Sequence, residues 1–211
     1  MLGCAEKEKA DLVISSYFKD NTDHYFHPNK PEYLDKRNVL LGYFTNKIHA
    51  GLWNKLILRD LFINNHISFP QYNYYEDMVV STMITITSSI IAYCETPSYH
   101  YVVHNSSLTF LQDEEKRLHL FEESINNIQS IQEIPFIKTE KKLKWASMNL
   151  VNFNKKRLIK NISDEQIIYK VLGLCRESIT LRRIRSLSDL LLYISSRFSI
   201  YKPLKYYMRN R

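Results

Sequence analysis

The sequence predicts a mixed α/β fold over residues 1–109, followed by a mostly α-helical region over residues 110–211. Three observations carry that reading. Residues 10–17 (ADLVISSY) form a short apolar run with β-branched members, the composition of a strand. Residues 91–104 (IAYCETPSYHYVVH) also look extended. From about residue 109 onward, apolar residues recur at spacings of three and four, the period of an amphipathic helix. At 211 residues, with 45% hydrophobic and 24% charged side chains, the chain has the composition of one ordinary globular domain, or of a compact domain with a helical appendage.

Element by element, residues 10–17 read as a strand. Residues 18–38, polar and carrying Pro28 and Pro31, read as a loop. Residues 39–65 fit a helix with Trp53, Ile57 and Leu61 on one stripe, ending at Asn64-Asn65-His66. A short extended piece, Ile67-Ser68-Phe69-Pro70, follows. Residues 76–90 are ambiguous: their β-branched content argues for a strand, their length and acidic start for a helix. Residues 91–104 read as two short strands around Thr96-Pro97. In the helical part, Leu118, Phe121, Ile125 and Ile128 line one face behind the acidic first turn Asp113-Glu114-Glu115. Pro135 separates this helix from the next, which carries Leu143, Ala146, Leu150 and Phe153. Ser163-Asp164-Glu165-Gln166 has the form of a capping box ahead of Ile167, Val171 and Leu174. A last amphipathic helix places Leu187, Leu190, Leu191, Ile194 and Phe198 on one face, with Pro203 beyond it.

Composition excludes several functions. Four glycines, none clustered, build neither a P-loop nor a dinucleotide fingerprint. Cys4, Cys94 and Cys175 are odd in number and far apart, so they read as reduced thiols rather than a disulfide frame or zinc site. No apolar run approaches the roughly 18 residues that span a bilayer. The expected location is cytoplasmic, with peripheral contact at the inner face of the cell membrane left open. Residues 176–211 hold nine basic and two acidic side chains, so the whole net charge of +7 resides there. That asymmetry points to an anionic partner for the tail and not for the body.

The motifs cluster in residues 50–109. Trp53, Lys55 and Leu56, then Ile67 and Phe69, then Glu76-Asp77, then Tyr99, Tyr101, Ser107 and Thr109 follow one another in the order and near the spacing of a known set. This set resembles the acceptor-side half of bacterial family-2 glycosyltransferases. Those enzymes of GT-A fold show a Trp-x-Lys-Leu helix, an Ile-x-Phe-Pro strand, a Glu-Asp pair opening a helix, and a Tyr-x-Tyr segment ending in Ser-x-Thr. Residues 10–13 (ADLV) look like the family's strand just after its metal-binding motif. The resemblance covers about residues 5–110.

The resemblance implies transfer of a sugar from a nucleotide sugar to a glycan or lipid-linked acceptor, in surface polysaccharide synthesis. It implies Asp77 as the base, with Glu76 supporting or orienting the acceptor. Inverting transfer needs a carboxylate to take the acceptor hydroxyl's proton as the oxygen attacks the anomeric carbon, and a Glu-Asp pair at a helix start supplies one. Taken alone, the pair also reads as a plain acidic first turn. Trp53, Lys55, Tyr75 and His104 are candidates to hold acceptor or diphosphate: tyrosines stack on sugar faces, Trp53 doubles as a core anchor, and Lys55 as a surface lysine. His104 falls where relatives carry His or Arg near the diphosphate and metal, although Val102 stands where relatives often carry Arg. His100 and His104 would pair on a metal only in a helix.

Such enzymes hold a divalent ion, Mn or Mg, on an Asp-x-Asp motif. No two Asp here are separated by one residue, Asp20 and Asp23 being closest in sequence. The nucleotide-binding half is expected to precede Met1, with an N-terminal half as a separate chain as one partner, so this chain alone is expected neither to complete a donor site nor to hold the metal. Arg182, Arg183, Arg185, Arg197, Lys202 and Lys205 flank the last apolar stripe among tyrosines. This suits an anionic membrane surface, and equally a helix docked on the domain with a solvated basic face. Nucleic acid fits less well, since no nucleic-acid fold accompanies the charge. The alternative reading is a non-catalytic, truncated homologue acting as a membrane- or partner-binding helical module.

Overall fold

In the computed structural model, the residues described are 1–19, 25–26, 33–102, 113–174 and 176–210. Their elements, in chain order, are α1 (Leu2–Glu8), β1 (Leu12–Lys19), β2 (Tyr25–Phe26), α2 (Lys36–Phe44), β3 (Lys55–Ile57), α3 (Arg59–Asn64), α4 (Glu76–Thr87), β4 (Ile91–Tyr101), α5 (Glu114–Glu133), α6 (Pro135–Thr139), α7 (Lys141–Asn161), α8 (Glu165–Gly173), α9 (Leu187–Phe198) and α10 (Lys202–Arg209). The mixed α/β class is therefore what the chain adopts.

β1 is the spine of a four-stranded sheet. Along one edge it pairs in parallel with β4, from Leu12↔Ile91 to Lys19↔Tyr101. Along the other it pairs antiparallel with β3 (Leu12↔Ile57) and then with β2 (Tyr17↔Phe26). Between Cys94, opposite Ser15, and Tyr99, opposite Tyr17, β4 spends residues 95–98 against Ser16 alone. Two strands were expected around Thr96-Pro97; one strand with an irregularity at that proline is found. Proline has no N–H for a ladder, so the break in pairing falls where the sequence places it.

Leu12 and Ile14 of β1 join a core that runs through α2, α4, α5, α7 and α8 to Leu192 of α9 and Leu204 of α10. Ends are fixed by side chains: Asp35 accepts from the Asn38 N–H, Asp113 from Lys116, and Ser186 from Asp189. Lys36 Nζ donates to the Ile86 carbonyl at 2.6 Å, a cation on the C-terminal end of α4.

Several local expectations are corrected. Residues 39–65 are not one helix: α2 stops at Phe44, residues 52–54 form a 3₁₀ turn, and Trp-x-Lys-Leu runs into β3. The spacing of Trp53, Ile57 and Leu61 imitates a helical stripe, but Lys55–Ile57 instead completes the edge of β1. Residues 67–70 belong to no sheet. The ambiguous 76–90 segment is helix α4 up to Thr87; its hydroxyls bond back along the helix, Thr85 to the Ser81 carbonyl at 2.7 Å and Ser88 to that of Ile84 at 2.7 Å. Pro135 opens the short helix α6 rather than only dividing its neighbours, and Pro203 lies inside α10. Phe153 is exposed, because the inner face of α7 continues from Leu150 to Asn154. The cap of α8 is Asp164, which accepts from Gln166 and Ile167, while the Ser163 and Asp164 N–H groups donate to Glu114.

Candidate active site

A cleft of about 430 Å³ opens at the N-terminus of α4. The loop after α2 supplies Asn46, His49, Ala50 and Gly51; the 3₁₀ turn adds Trp53, the entry to α4 adds Tyr74 to Asp77, β4 adds Tyr101, and α7 adds Arg157. Among the described candidates, Trp53, Tyr75, Glu76 and Asp77 line it together. His104, Ser107, Thr109 and Asp20, like Cys175, lie outside the described residues.

One wall is aromatic. Trp53 packs against Tyr17 (ring centroids 4.6 Å apart), His49 (4.7 Å), Tyr99 (4.8 Å) and Tyr101 (5.2 Å). Gly51 makes this possible: a Cβ there would stand 2.5 Å from Trp53 Nε1 and 2.8 Å from His49 Nδ1. The Gly51 N–H donates to His49 Nδ1 at 2.9 Å, which requires that nitrogen to be unprotonated. Burial of the ring and the charge of Lys55 hold the His49 pKa down, to about 4, although the residue as a whole stands exposed at the rim.

Lys55 sits beneath this wall. Its Nζ donates to the His49 carbonyl (2.8 Å), the Gly51 carbonyl (2.5 Å) and Asn54 Oδ1 (2.9 Å), which uses all three ammonium protons. Burial pushes its pKa down to about 7, and the charge of Asp77 works against that. The side chain is therefore a cation that loses its charge near pH 7, within electrostatic reach of Asp77.

The acidic pair faces it from the first turn of α4. Burial raises the Asp77 pKa, while a backbone hydrogen bond from Leu52 and the Lys55 charge lower it in part. Burial also raises that of Glu76, opposed by its own backbone N–H and reinforced by the charges of Asp77 and Glu123. A half-buried carboxylate with a raised pKa beside a fixed cation is the arrangement a proton acceptor needs.

The approach to this turn is strained and braced. Tyr75 caps α4 with φ 72° and ψ 15°, a left-handed conformation that bulky residues adopt rarely. The Tyr75 hydroxyl exchanges hydrogen bonds with Asn154 of α7 at 3.0–3.1 Å. Buried Asn127 of α5 donates to the carbonyls of Tyr72 (3.1 Å) and Tyr74 (2.8 Å). Sequence reasoning missed Asn127, Asn154, His49 and Arg157. For the two asparagines a signal existed: each stands among apolar residues on the inward face of a long helix, where a buried amide must find partners.

A divalent ion is implied by the resemblance. Among the described residues no group of three or more His, Cys, Asp or Glu could hold one, so these residues do not fit that role.

Comparison with known proteins places the chain at a coarse level. Over 109 residues, 48% of this chain, the sequence is 29% identical to EpsH of Bacillus subtilis (strain 168), whose name assigns it provisionally to the glycosyltransferases. Glycosyltransferases are what this chain is similar to. The fold is shared with S. aureus TarS: residues 1–349 of that protein, crystallised with UDP-GlcNAc, superpose over 99% of this chain at a TM-score of 0.65 and 11% identity. A second TarS crystal structure superposes over 97% at 0.60 and 11% identity. The match takes in 32% of EpsH, and the superposed chain covers 62% of the 1–349 TarS fragment and 36% of the second TarS chain. No family model matches the sequence.

Proposed function

We propose that the cleft is the acceptor side of a family-2, GT-A glycosyltransferase site, with residues 1–109 as its partial catalytic domain and residues 110–211 as the helical region bracing it. The observation that carries this reading is the position of Asp77: on the first turn of α4, half-buried in the cleft, coupled to the Lys55 cation and facing an aromatic wall. The substrates are a nucleotide sugar and a glycan or lipid-linked acceptor of surface polysaccharide synthesis. The acceptor sugar stacks on the aromatic wall beside Trp53 and Tyr101. Asp77 takes the hydroxyl proton as the acceptor oxygen bonds to the anomeric carbon and the bond to the nucleoside diphosphate breaks. Glu76 accepts a neighbouring hydroxyl and orients it. The Mn or Mg ion belongs to the same proposal, with its ligands and the nucleotide-binding elements outside the residues described.

The test is Asp77→Asn in the complete enzyme, following release of nucleoside diphosphate in the presence of acceptor. The amide keeps the shape and removes the base, so turnover falls by about 10²-fold or more with the KM for the nucleotide sugar unchanged. Unchanged turnover removes Asp77 from the reaction and moves the non-catalytic module to the front.

A further inference from the structure

The C-terminal segment carries an observation that the cleft does not use. α9 turns its buried face, Leu192, Ser195 and Ser196, to the domain. At about 100° per residue, its apolar stripe of Leu187, Leu190, Leu191, Ile194 and Phe198 centres roughly a third of a turn away from that face. One side of the stripe points outward: Phe198 is 68% exposed, Leu187 53% and Leu190 37%, against 0% for Leu192, while Leu191 packs on the core and Ile194 is half-buried. Leu181 and Ile200, just before and after the helix, are exposed as well. No helix among the described residues is long and apolar enough to cross a membrane.

Cations border the stripe. Three of them lie over rings: Arg185, itself exposed, with its guanidinium 4.4 Å from the Trp145 centroid, Arg197 at 5.7 Å from that of Tyr193, and Lys205 over Tyr201, whose hydroxyl is bound to Glu165. Arg182, Arg197, Lys202 and Arg209 are exposed and have no carboxylate partner among the described residues. The nearest acid on α9, Asp189, is already spent on Lys156 at 2.8 Å.

We infer that the outer face of α9, with the cations on either side of it, is a docking surface for an anionic lipid bilayer. Leu187, Leu190 and Phe198 enter the acyl boundary, while Arg182, Arg197 and Lys202 meet the headgroup phosphates. Charge decides among occupants. A second copy packed on this face would bring the region holding the whole +7 excess against itself. A nucleic-acid backbone would satisfy the cations and leave the aliphatic stripe in water. An anionic membrane satisfies both. The inference does not depend on the chemistry of the cleft.

The experiment is flotation of the full chain with vesicles of phosphatidylcholine, with and without phosphatidylglycerol. The chain floats with the anionic vesicles and stays behind with the neutral ones. Substituting Arg182→Gln, Arg197→Gln and Lys202→Gln together weakens binding on the order of a hundredfold, from about a kcal/mol per cation. Substituting Leu190→Glu and Phe198→Glu weakens it by about tenfold or more. All five positions are solvent-exposed, so an unchanged melting temperature verifies that each variant is folded. Failure of the wild-type chain to float with anionic vesicles overturns the inference. So does undiminished binding by the Leu190→Glu, Phe198→Glu variant, which would mean adsorption by charge alone. A dimer-to-monomer change in that variant would assign the face to a second copy.

Discussion

Around Asp77 the chain buries its charges and gives them partners, whereas along α9 it leaves arginines in solvent beside exposed leucine and phenylalanine. In the cleft, Lys55 spends three protons on fixed oxygens, Asp77 takes a backbone hydrogen bond, and two buried asparagines pin the strained turn between them. On the tail, charged side chains (Arg182, Arg197, Lys202) and apolar ones (Leu187, Leu190, Phe198) stand exposed together. The two proposed roles account for the difference: a site proposed to move a proton needs fixed dipoles and low solvation, while a surface proposed to meet a bilayer needs both kinds of group free to be covered.

That contrast is broken most severely at the braces. Asn127→Leu leaves the carbonyls of Tyr72 and Tyr74 without their donor, and urea denaturation should show a loss of about 2 kcal/mol or more. Gly51→Ala forces its Cβ into Trp53 and His49, at an expected cost of about 1–3 kcal/mol in the same measurement. Lys55→Met removes the charge that favours ionised Asp77. In the complete enzyme the acid limb of kcat then moves to higher pH by about one unit or more, since the base is lost as pH falls through a pKa that has risen further.

A smaller effect belongs to His49. The unfolded chain protonates it below about 6.5, the folded chain only near 4. Between those values the unfolded state binds more protons, so stability falls as pH is lowered through the window. Exposure at the rim keeps the slope shallow, and His49→Gln should remove it from pH-dependent melting curves. The smallest effect sharpens the comparison from the other side. Phe198→Glu should change stability by no more than about 0.5 kcal/mol, because a side chain left in solvent does not hold the fold.

How far the sequence discloses this molecule depends on whether a signal is local. The helices after residue 113 are legible because Leu118, Phe121, Ile125 and Ile128 repeat with the helical period and all are buried. β1 is legible from its β-branched run. The stretch from Phe44 to Asn64 is not, because Trp53, Ile57 and Leu61 carry a helical spacing that strand pairing with β1 overrides. In the cleft, the Glu-Asp pair is visible as a motif. Its bracing is not, since Tyr75 meets a partner 79 residues away and only folding brings Arg157 to the same opening. Of the tail, its excess charge is plain in the sequence. That Leu187, Leu190 and Phe198 of its apolar stripe stand exposed depends on which face of α9 the core takes.

The most direct test of the cleft is to titrate the Asp77 carboxyl by carbon NMR, in this chain and in its Lys55→Met variant. Titration above the ordinary aspartate value of about 3.9, rising further without Lys55, is the predicted result. An ordinary or lower value that ignores Lys55 would contradict the account, because a solvated carboxylate uncoupled from that cation is not a base held ready in a buried site.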